Sequence, residues 1–264
     1  MARIKLFSSD LNGTLVRQHT MSDMIRIYKG KEKFEKAHSV FKKQVNGEAS
    51  MENAFQVAGP LTKGLTLRQA IDYTRDHMSY MEGFDSFIEA LYINQIPLVI
   101  NSTGYSVTIY AIREQFGRYK IHGQIGNKLR FGLNGNSAKT LSEKELEQKV
   151  MEYFSGTADN PIYDKIKATG EIELGISNEK AKVTLIREYC KKHFPKIKPN
   201  QIAHMGDTIG DSWGIAKVAK LGGMGIAFNP NEALTKFIEN LEDSINKNIV
   251  IIKNDLKEVI SYIN

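Results

Sequence analysis

The stretch that most constrains this chain is Ile4 to Val16, IKLFSSDLNGTLV. Its apolar residues Ile4 to Phe7 give way to Ser8-Ser9, then to Asp10, then to Asn12-Gly13-Thr14. A short continuous apolar run followed by a glycine turn reads as a buried strand whose carboxyl end holds one carboxylate in a fixed position. Open α/β sheets keep their ligands at that edge. An aspartate that merely caps a loop leaves the same local trace, so the rest of the chain has to separate the two readings.

Beyond Val16 the texture changes. Residues 17–81 are charged and mostly helical, with no strand-like alternation of any length. Phe34 to Val45 and Met51 to Val57 read as helices, with Gly59-Pro60 as the break after them. Thr66 with Gln69 forms a capping-box start for a helix running toward Met81, and Glu82-Gly83 closes the segment. This is a helical insertion after the first strand.

From Phe84 the pattern becomes alternating β and α. Phe84, Phe87, Ile88 and Leu91 form the apolar stripe of a helix that packs on a sheet. Ile96 to Ile100 is a short apolar run suited to a parallel strand covered on both faces. It leads into Asn101-Ser102-Thr103-Gly104-Tyr105, just before a helix ending at Gly117. Hydroxyls and backbone N–H groups at a helix start can hold a phosphate; an ordinary N-cap is the alternative.

Between 121 and 176, Leu129, Phe131 and Leu133 alternate before the turn Asn134-Gly135-Asn136. Ser142 with Glu145 opens a helix through Phe154, closed by Gly156, and Ile172, Leu174 and Ile176 alternate again. The stretch reads as an elaborated hairpin with a helical excursion, and no chemistry is inferred from it.

Lys182 opens a helix whose apolar positions Leu185, Ile186 and Tyr189 leave the lysine facing the loops. The strand Ile202 to Met205 runs into Gly206-Asp207-Thr208-Ile209-Gly210-Asp211 and a helix through Ala219. Carboxylates at i and i+4 beside a strand end can share one hard cation, since Mg²⁺ prefers oxygen ligands. Met224 to Phe228, a helix after Pro230, the strand Asn248 to Ile252 and a final helix carrying Leu256, Val259, Ile260 and Ile263 complete the βα alternation.

The 264 residues allow one large α/β domain, or a core with a smaller module. The basic excess, 36 against 30 acidic residues, is spread along the chain. Lys29, Lys31, Lys33, Lys36, Lys42 and Lys43 gather in one helical region, but Glu32 and Glu35 sit among them. A solvated face is expected there and no nucleic-acid partner. A single cysteine, Cys190, excludes an intrachain disulfide and fits a reducing compartment. Neither a signal peptide nor an apolar run of roughly 18 residues is visible, so a cytoplasmic protein without a membrane partner is expected.

Taken together, strand ends supply Asp10, the pair Ser102-Thr103 and the pair Asp207 and Asp211, while a helix start supplies Lys182. That set contains what a phosphoryl transfer needs: a carboxylate nucleophile, a Mg²⁺ site, and donors with a cation for the phosphate oxygens. At this point the chain resembles the haloacid dehalogenase-like (HAD) phosphatase superfamily, in its phosphoserine phosphatase-like branch. The resemblance rests on Asp10-Leu11-Asn12-Gly13-Thr14, Ser102 within NSTGY, Lys182 and GDTIGD, and extends through GIAFNP and NDLKEVISYIN. It implies a Rossmann-like α/β core of residues 1–16 plus 82–264, with a mostly parallel sheet and a small helical cap domain at 17–81. Asp10 would attack phosphorus. Mg²⁺ would be held by Asp10, the main-chain carbonyl of Asn12, Asp207 and Asp211. Ser102, Thr103 and Lys182, with N–H groups near Gly13 and Gly104, would bind the phosphoryl oxygens. Lys180 is the second candidate for the lysine.

Two departures matter. The resemblance places a general acid/base aspartate where this chain has Asn12, and an amide cannot exchange a proton near neutral pH. Losing such a group costs about 10²–10⁴-fold in rate, so a slow or inactive phosphatase is expected. Three origins for Asn12 stand open: an engineered substitution, a natural feature compensated elsewhere, and a non-catalytic phosphate-binding relative. Secondly, His19 stands where phosphoserine phosphatases carry an acid for the serine amine, and Ala58 where they carry an arginine for the carboxylate. Phosphoserine is therefore disfavoured. The face near Val45, Met51 and Phe55 points to a less charged small phosphorylated metabolite.

His19 is weighed as a substitute proton donor against a plain surface residue, and His204 is expected in the core. A regulatory phosphate-binding protein is the rival from another class. A dehalogenase is disfavoured by the metal that Asp207 and Asp211 imply. Monomer and homodimer both remain open.

Overall fold

The strands β1 (Leu6–Ser9), β2 (Leu98–Tyr105), β3 (Ile121–Leu133), β4 (Ile166–Glu173), β5 (Ile202–Gly206), β6 (Met224–Phe228) and β7 (Ile249–Ile252) form one sheet in the order β4-β3-β2-β1-β5-β6-β7. The computed structural model in which they are seen describes residues 3–45, 48–178 and 180–263, without the side chain of Val45. Every neighbouring pair is parallel except β3 and β4, which run antiparallel. The chain moves outward from β1 on one side through β2 and β3, then returns to build β5, β6 and β7 on the other. The carboxyl end of β1 is thus the topological switch point, where such sheets open a crevice.

Four helices, α1 (Thr20–Lys29), α2 (Lys31–Val45), α3 (Met51–Leu61) and α4 (Leu67–Asp72), are inserted between β1 and α5 (Phe84–Ile93). The remaining helices are α6 (Ser106–Phe116), α7 (Glu143–Glu152), α8 (Ile162–Lys165), α9 (Ala181–His193), α10 (Ser212–Lys220), α11 (Glu232–Glu239), α12 (Asp243–Asn246) and α13 (Lys257–Ile263). One face of the sheet buries Phe7, Leu98, Ile100 and Met205 against Phe87, Leu91 and Val259. The other buries Leu6, Val99 and Ile202 against Ile186, Cys190 and Val218. Covering both faces explains why these strands read as unbroken apolar runs. A further cluster joins Met24, Phe41 and Phe55 of the insertion to Leu129 and Phe131 of β3 and to Leu146 of α7.

Several local expectations change. Gly59-Pro60 does not break α3, which continues to Leu61. Gly59 is there for a close approach: a Cβ on it would lie 2.5 Å from the Gly170 carbonyl oxygen on β4. Pro60 falls in the last turn, where it forgoes one i→i−4 bond, and Thr62 closes the end by donating to the Gly59 carbonyl from its N–H at 2.9 Å and its hydroxyl at 2.6 Å. The capping box at Thr66 and Gln69 forms, but α4 ends at Asp72 and passes into a wide π-type turn, Tyr73–His77, rather than running toward Met81.

The run Asn101 to Tyr105 is not a loop. It continues β2 alongside β3, with Asn101 paired to Ile125 and Tyr105 to Asn127, so α6 starts only at Ser106. Helix α1 was not marked by any local cap signal. Its first N–H, that of Thr20, is bonded at 2.9 Å by the Asn12 side-chain oxygen, a cap supplied from eight residues earlier. The Val45 side chain invoked for the substrate-facing surface lies outside the described residues, as do Asn46 and Gly47.

Candidate active site

The turn after β1 is drawn tight by the Leu11 carbonyl, which accepts from the N–H groups of Thr14, Leu15 and Val16, while the Gly13 N–H donates to the Val16 carbonyl. Gly13 takes a left-handed φ of 76°. Asp10 ends the strand with its N–H on the Met205 carbonyl at 2.9 Å, which ties the two central strand ends together. Its side chain is nearly buried.

Asp207 follows β5 and accepts a hydrogen bond of 2.8 Å from the Thr14 hydroxyl. Asp211 ends a short 3-10 turn, with the Thr208 N–H and hydroxyl both 3.4 Å from its Oδ2. Lys182, on the first turn of α9, is 2% exposed. Its Nζ donates to Asp10 Oδ1 at 3.1 Å and to Asp211 Oδ1 at 2.7 Å. Asn101 holds that helix start by donating to the Lys182 carbonyl at 3.0 Å. Lys180 points elsewhere, over the exposed ring of Trp213 at 4.6 Å.

Carboxylate oxygens of Asp10, Asp207 and Asp211 lie within 4.8 Å of one another. Burial, then the charges of Asp211 and Asp10, raise Asp207 to about 8. Burial works in the same direction on Asp211, but Lys182 and His204 outweigh it and hold that carboxyl below its ordinary value. Among the described residues these three crowded carboxylates meet the Lys182 cation, and a hard divalent cation would add positive charge through oxygen ligands alone. The donor set therefore fits Mg²⁺.

Ser102 is fully buried in the second half of β2, where its Oγ accepts from the Gly104 N–H at 3.2 Å. A Cβ on Gly104 would lie 3.7 Å from Asn12 Nδ2, which sets the β2 end against the first loop. Thr103 is tied in through its main-chain carbonyl, which accepts from Asn127 Nδ2 at 2.9 Å. The structure thus brings Asp10, Asn12, Gly13, Ser102, Gly104, Lys182, Asp207 and Asp211 together beside the carboxyl ends of β1, β2 and β5. Ser102 to Gly104 contribute from a strand end and not from a helix start.

His204 is buried with Nδ1 3.0 Å from Ser8 Oγ, and burial lowers it to about 4. His19 is likewise pushed to about 4, by burial and then by His38; it is half-buried, with its ring 4.7 Å from that of Phe41. Thr14, Thr208 and Asn127 were missed as supporting residues. Thr14 and Thr208 sit inside motifs already noted, so proximity was a signal; Asn127 carries no sequence signal, because its partners are distant in the chain.

No protein-family model matches the sequence, and no curated protein matches it. Solved structures do resemble it. A phosphoserine phosphatase described as a phospho-aspartyl intermediate analogue superposes with a TM-score of 0.68 at 20% identity, over 99% of this chain and 100% of the other. A substrate-bound phosphoserine phosphatase complex gives 0.68 at 19% identity, covering 100% of both chains. A HAD family hydrolase from Salmonella enterica serovar Typhi gives 0.65 at 13% identity, over 89% of this chain and 66% of the other. The fold is therefore the HAD α/β fold in its phosphoserine phosphatase-like form.

Proposed function

We propose that the protein is a Mg²⁺-dependent phosphomonoesterase acting on a small phosphorylated metabolite through Asp10. The observation that carries this reading is the Lys182 bridge between Asp10 and Asp211, beside Asp207, at the switch point of the sheet. Such a group offers a nucleophile, a cation for the transferring phosphoryl group and an oxygen-rich metal site in one crevice. The neighbour described as a phospho-aspartyl intermediate analogue supports the same chemistry.

In this reading an Asp10 oxygen forms a bond to phosphorus as the ester P–O bond breaks, and water then hydrolyses the aspartyl phosphate. Lys182, the Ser102 hydroxyl and the N–H groups near Gly13 and Gly104 hold the phosphoryl oxygens, with Thr103 beside them. Asp10, Asp207, Asp211 and the Asn12 main-chain carbonyl would hold Mg²⁺, which supplies charge neutralisation. The helices of 17–81 act as a cap over the core formed by 1–16 and 82–264.

Asn12 keeps the cap on Thr20 and leaves its amide nitrogen toward Gly104. It provides no proton for the departing alcohol. His19 does not replace it, because a ring held at about 4 is neutral at pH 7 and has no acidic proton to give. Turnover is accordingly slow. A second reading, a non-catalytic phosphate-binding or regulatory protein, is favoured by that same Asn12. Phosphoserine does not suit the cap: Ala58 is buried in α3 and His19 is neutral, so neither of these two positions offers a partner to a charge of the zwitterion. The lone buried Cys190 suits a reducing, cytoplasmic setting.

The test is phosphate release from p-nitrophenyl phosphate and a panel of phosphorylated metabolites, with Mg²⁺ and with EDTA, for this chain and for Asn12→Asp. A metal-dependent gain of about 10²-fold or more in Asn12→Asp supports the phosphatase. Inactivity of both proteins while inorganic phosphate and Mg²⁺ still bind overturns it in favour of the binding protein.

A further inference from the structure

We propose that the organic part of the substrate is an uncharged, largely apolar group, aryl or branched alkyl, seated between α3 and β4. The proposal rests on the phosphomonoesterase reading for the phosphate but not on turnover.

Four rings run in sequence from the start of α1 through α2 and α3 to the end of β2, the last three of them buried: His19 to Phe41 at 4.7 Å, Phe41 to Phe55 at 5.5 Å and Phe55 to Tyr105 at 6.4 Å. Both ends adjoin the phosphate motifs. His19 precedes Thr20, whose N–H is bonded to Asn12, and Tyr105 follows Gly104, whose N–H is bonded to Ser102. Phe55 is also the inner wall of a cleft of about 340 Å³, lined further by Pro60, Ile172 and Leu174. That volume is in the range of small-molecule sites. The Leu174 end is pinned beside the crevice, since Asn127 accepts from the Gly175 N–H at 3.0 Å and donates to the Thr103 carbonyl at 2.9 Å.

Charge decides the class of ligand. The cleft is lined by no lysine or arginine among the described residues, and its carboxylates, Glu52 and Glu171, are exposed to water at the rim. An anionic leaving group would meet two like charges, and an ammonium group would find no carboxylate against the rings. His19 is neutral at pH 7. Besides the Gln56 amide, the walls offer chiefly apolar area, and burying it is favourable in proportion to its extent.

Calorimetric titration of the protein in Mg²⁺ with non-hydrolysable phosphonates tests this directly: methylphosphonate, benzylphosphonate, 2-amino-3-phosphonopropionate and 2-(trimethylammonio)ethylphosphonate. Benzylphosphonate is expected to bind about tenfold or more tightly than methylphosphonate, and the two charged ligands no more tightly than it. In Phe55→Ala, and in the milder Leu174→Ala, that ratio falls to about threefold or less. Equal affinities for benzyl and methyl, tighter binding of either charged ligand, or no phosphonate binding at all overturns the proposal. Selectivity for benzylphosphonate without phosphate release from any ester removes the phosphatase reading and leaves this pocket standing.

Discussion

Gly13 packs its Cα directly against the carboxylate of Asp207: a Cβ there would lie 2.8 Å from Asp207 Cγ and overlap its Oδ2. The same residue has a φ of 76°, which side-chain-bearing residues adopt at a cost of about 1–2 kcal/mol. Gly13→Ala therefore acts twice, straining the first loop and displacing a carboxylate proposed to hold Mg²⁺. The expected outcome is a loss of at least about 1 kcal/mol in unfolding free energy. It is accompanied by at least about tenfold weaker Mg²⁺ binding by calorimetry. Unaltered Mg²⁺ affinity would mean that Asp207 takes no part in the metal site.

Asn12 has a structural role separable from its chemistry. Its oxygen caps α1 at Thr20, and loss of a capping oxygen costs about 1 kcal/mol. Asn12→Ala should lower stability by about that amount, while Asn12→Asp, which retains an acceptor, should not. Urea denaturation of the three proteins checks the ordering. A stable Asn12→Ala would show that the bond to Thr20 contributes nothing net.

Lys182 is the cation that partners both Asp10 and Asp211, and its side chain and theirs are at most 9% exposed. Removing one partner of a buried ion pair costs about 3–5 kcal/mol, because the remaining charges stay buried. Lys182→Met should be destabilised on that scale in EDTA, and Mg²⁺ should restore a large part of the loss by supplying positive charge to the same carboxylates. Thermal melts with and without Mg²⁺ decide this; equal losses in both conditions would place the metal elsewhere.

Three strongly shifted groups shape the pH dependence of metal-free stability between about 4 and 8. Asp207 is raised from 3.8 to about 8, so the folded state binds the extra proton. Its contribution is full below 3.8 and is lost as pH rises through about 8. His19 and His204 are lowered from 6.5 to about 4. Their contributions are present above 6.5 and lost as pH falls toward 4. Above 6.5 the Asp207 contribution is the one of the three that still changes. Stability in EDTA should rise to a maximum near pH 6.5 and then fall toward pH 8 by at most about 1.4 kcal/mol per unit. Mg²⁺ should remove the fall above the maximum, since metal binding keeps Asp207 ionised. A flat metal-free profile over that range would mean that Asp207 titrates at its ordinary value.

Elements announced by local periodicity were readable from residues alone. The stripe Phe84, Phe87, Ile88 and Leu91 is the buried face of α5, and the capping boxes at Thr66 and Ser142 start α4 and α7. Elements set by distant partners were not. Helix α1 takes its cap from Asn12, β2 is carried through Asn101 to Tyr105 by its pairing with β3, and α3 passes through Gly59 because β4 approaches it there. The same holds in the crevice, where Asp10, Ser102 and Asp207 could be named from their places at strand ends, whereas Asn127 could not.

What the residue order determined by itself is the alternation of strands and helices, and with it the set of polar residues left at strand carboxyl ends, because apolar runs and turn residues act over a few positions. The tertiary structure alone decided how those residues meet. Lys182 reaches Asp10 across 172 positions and Asp211 across 29 because the sheet order sets β1 between β2 and β5, with α9 leading into β5. The raised Asp207, the lowered His19 and the apolar cleft between α3 and β4 arise from the same source. Charge coupling and desolvation depend on ångström separations and burial, which no one-dimensional pattern encodes.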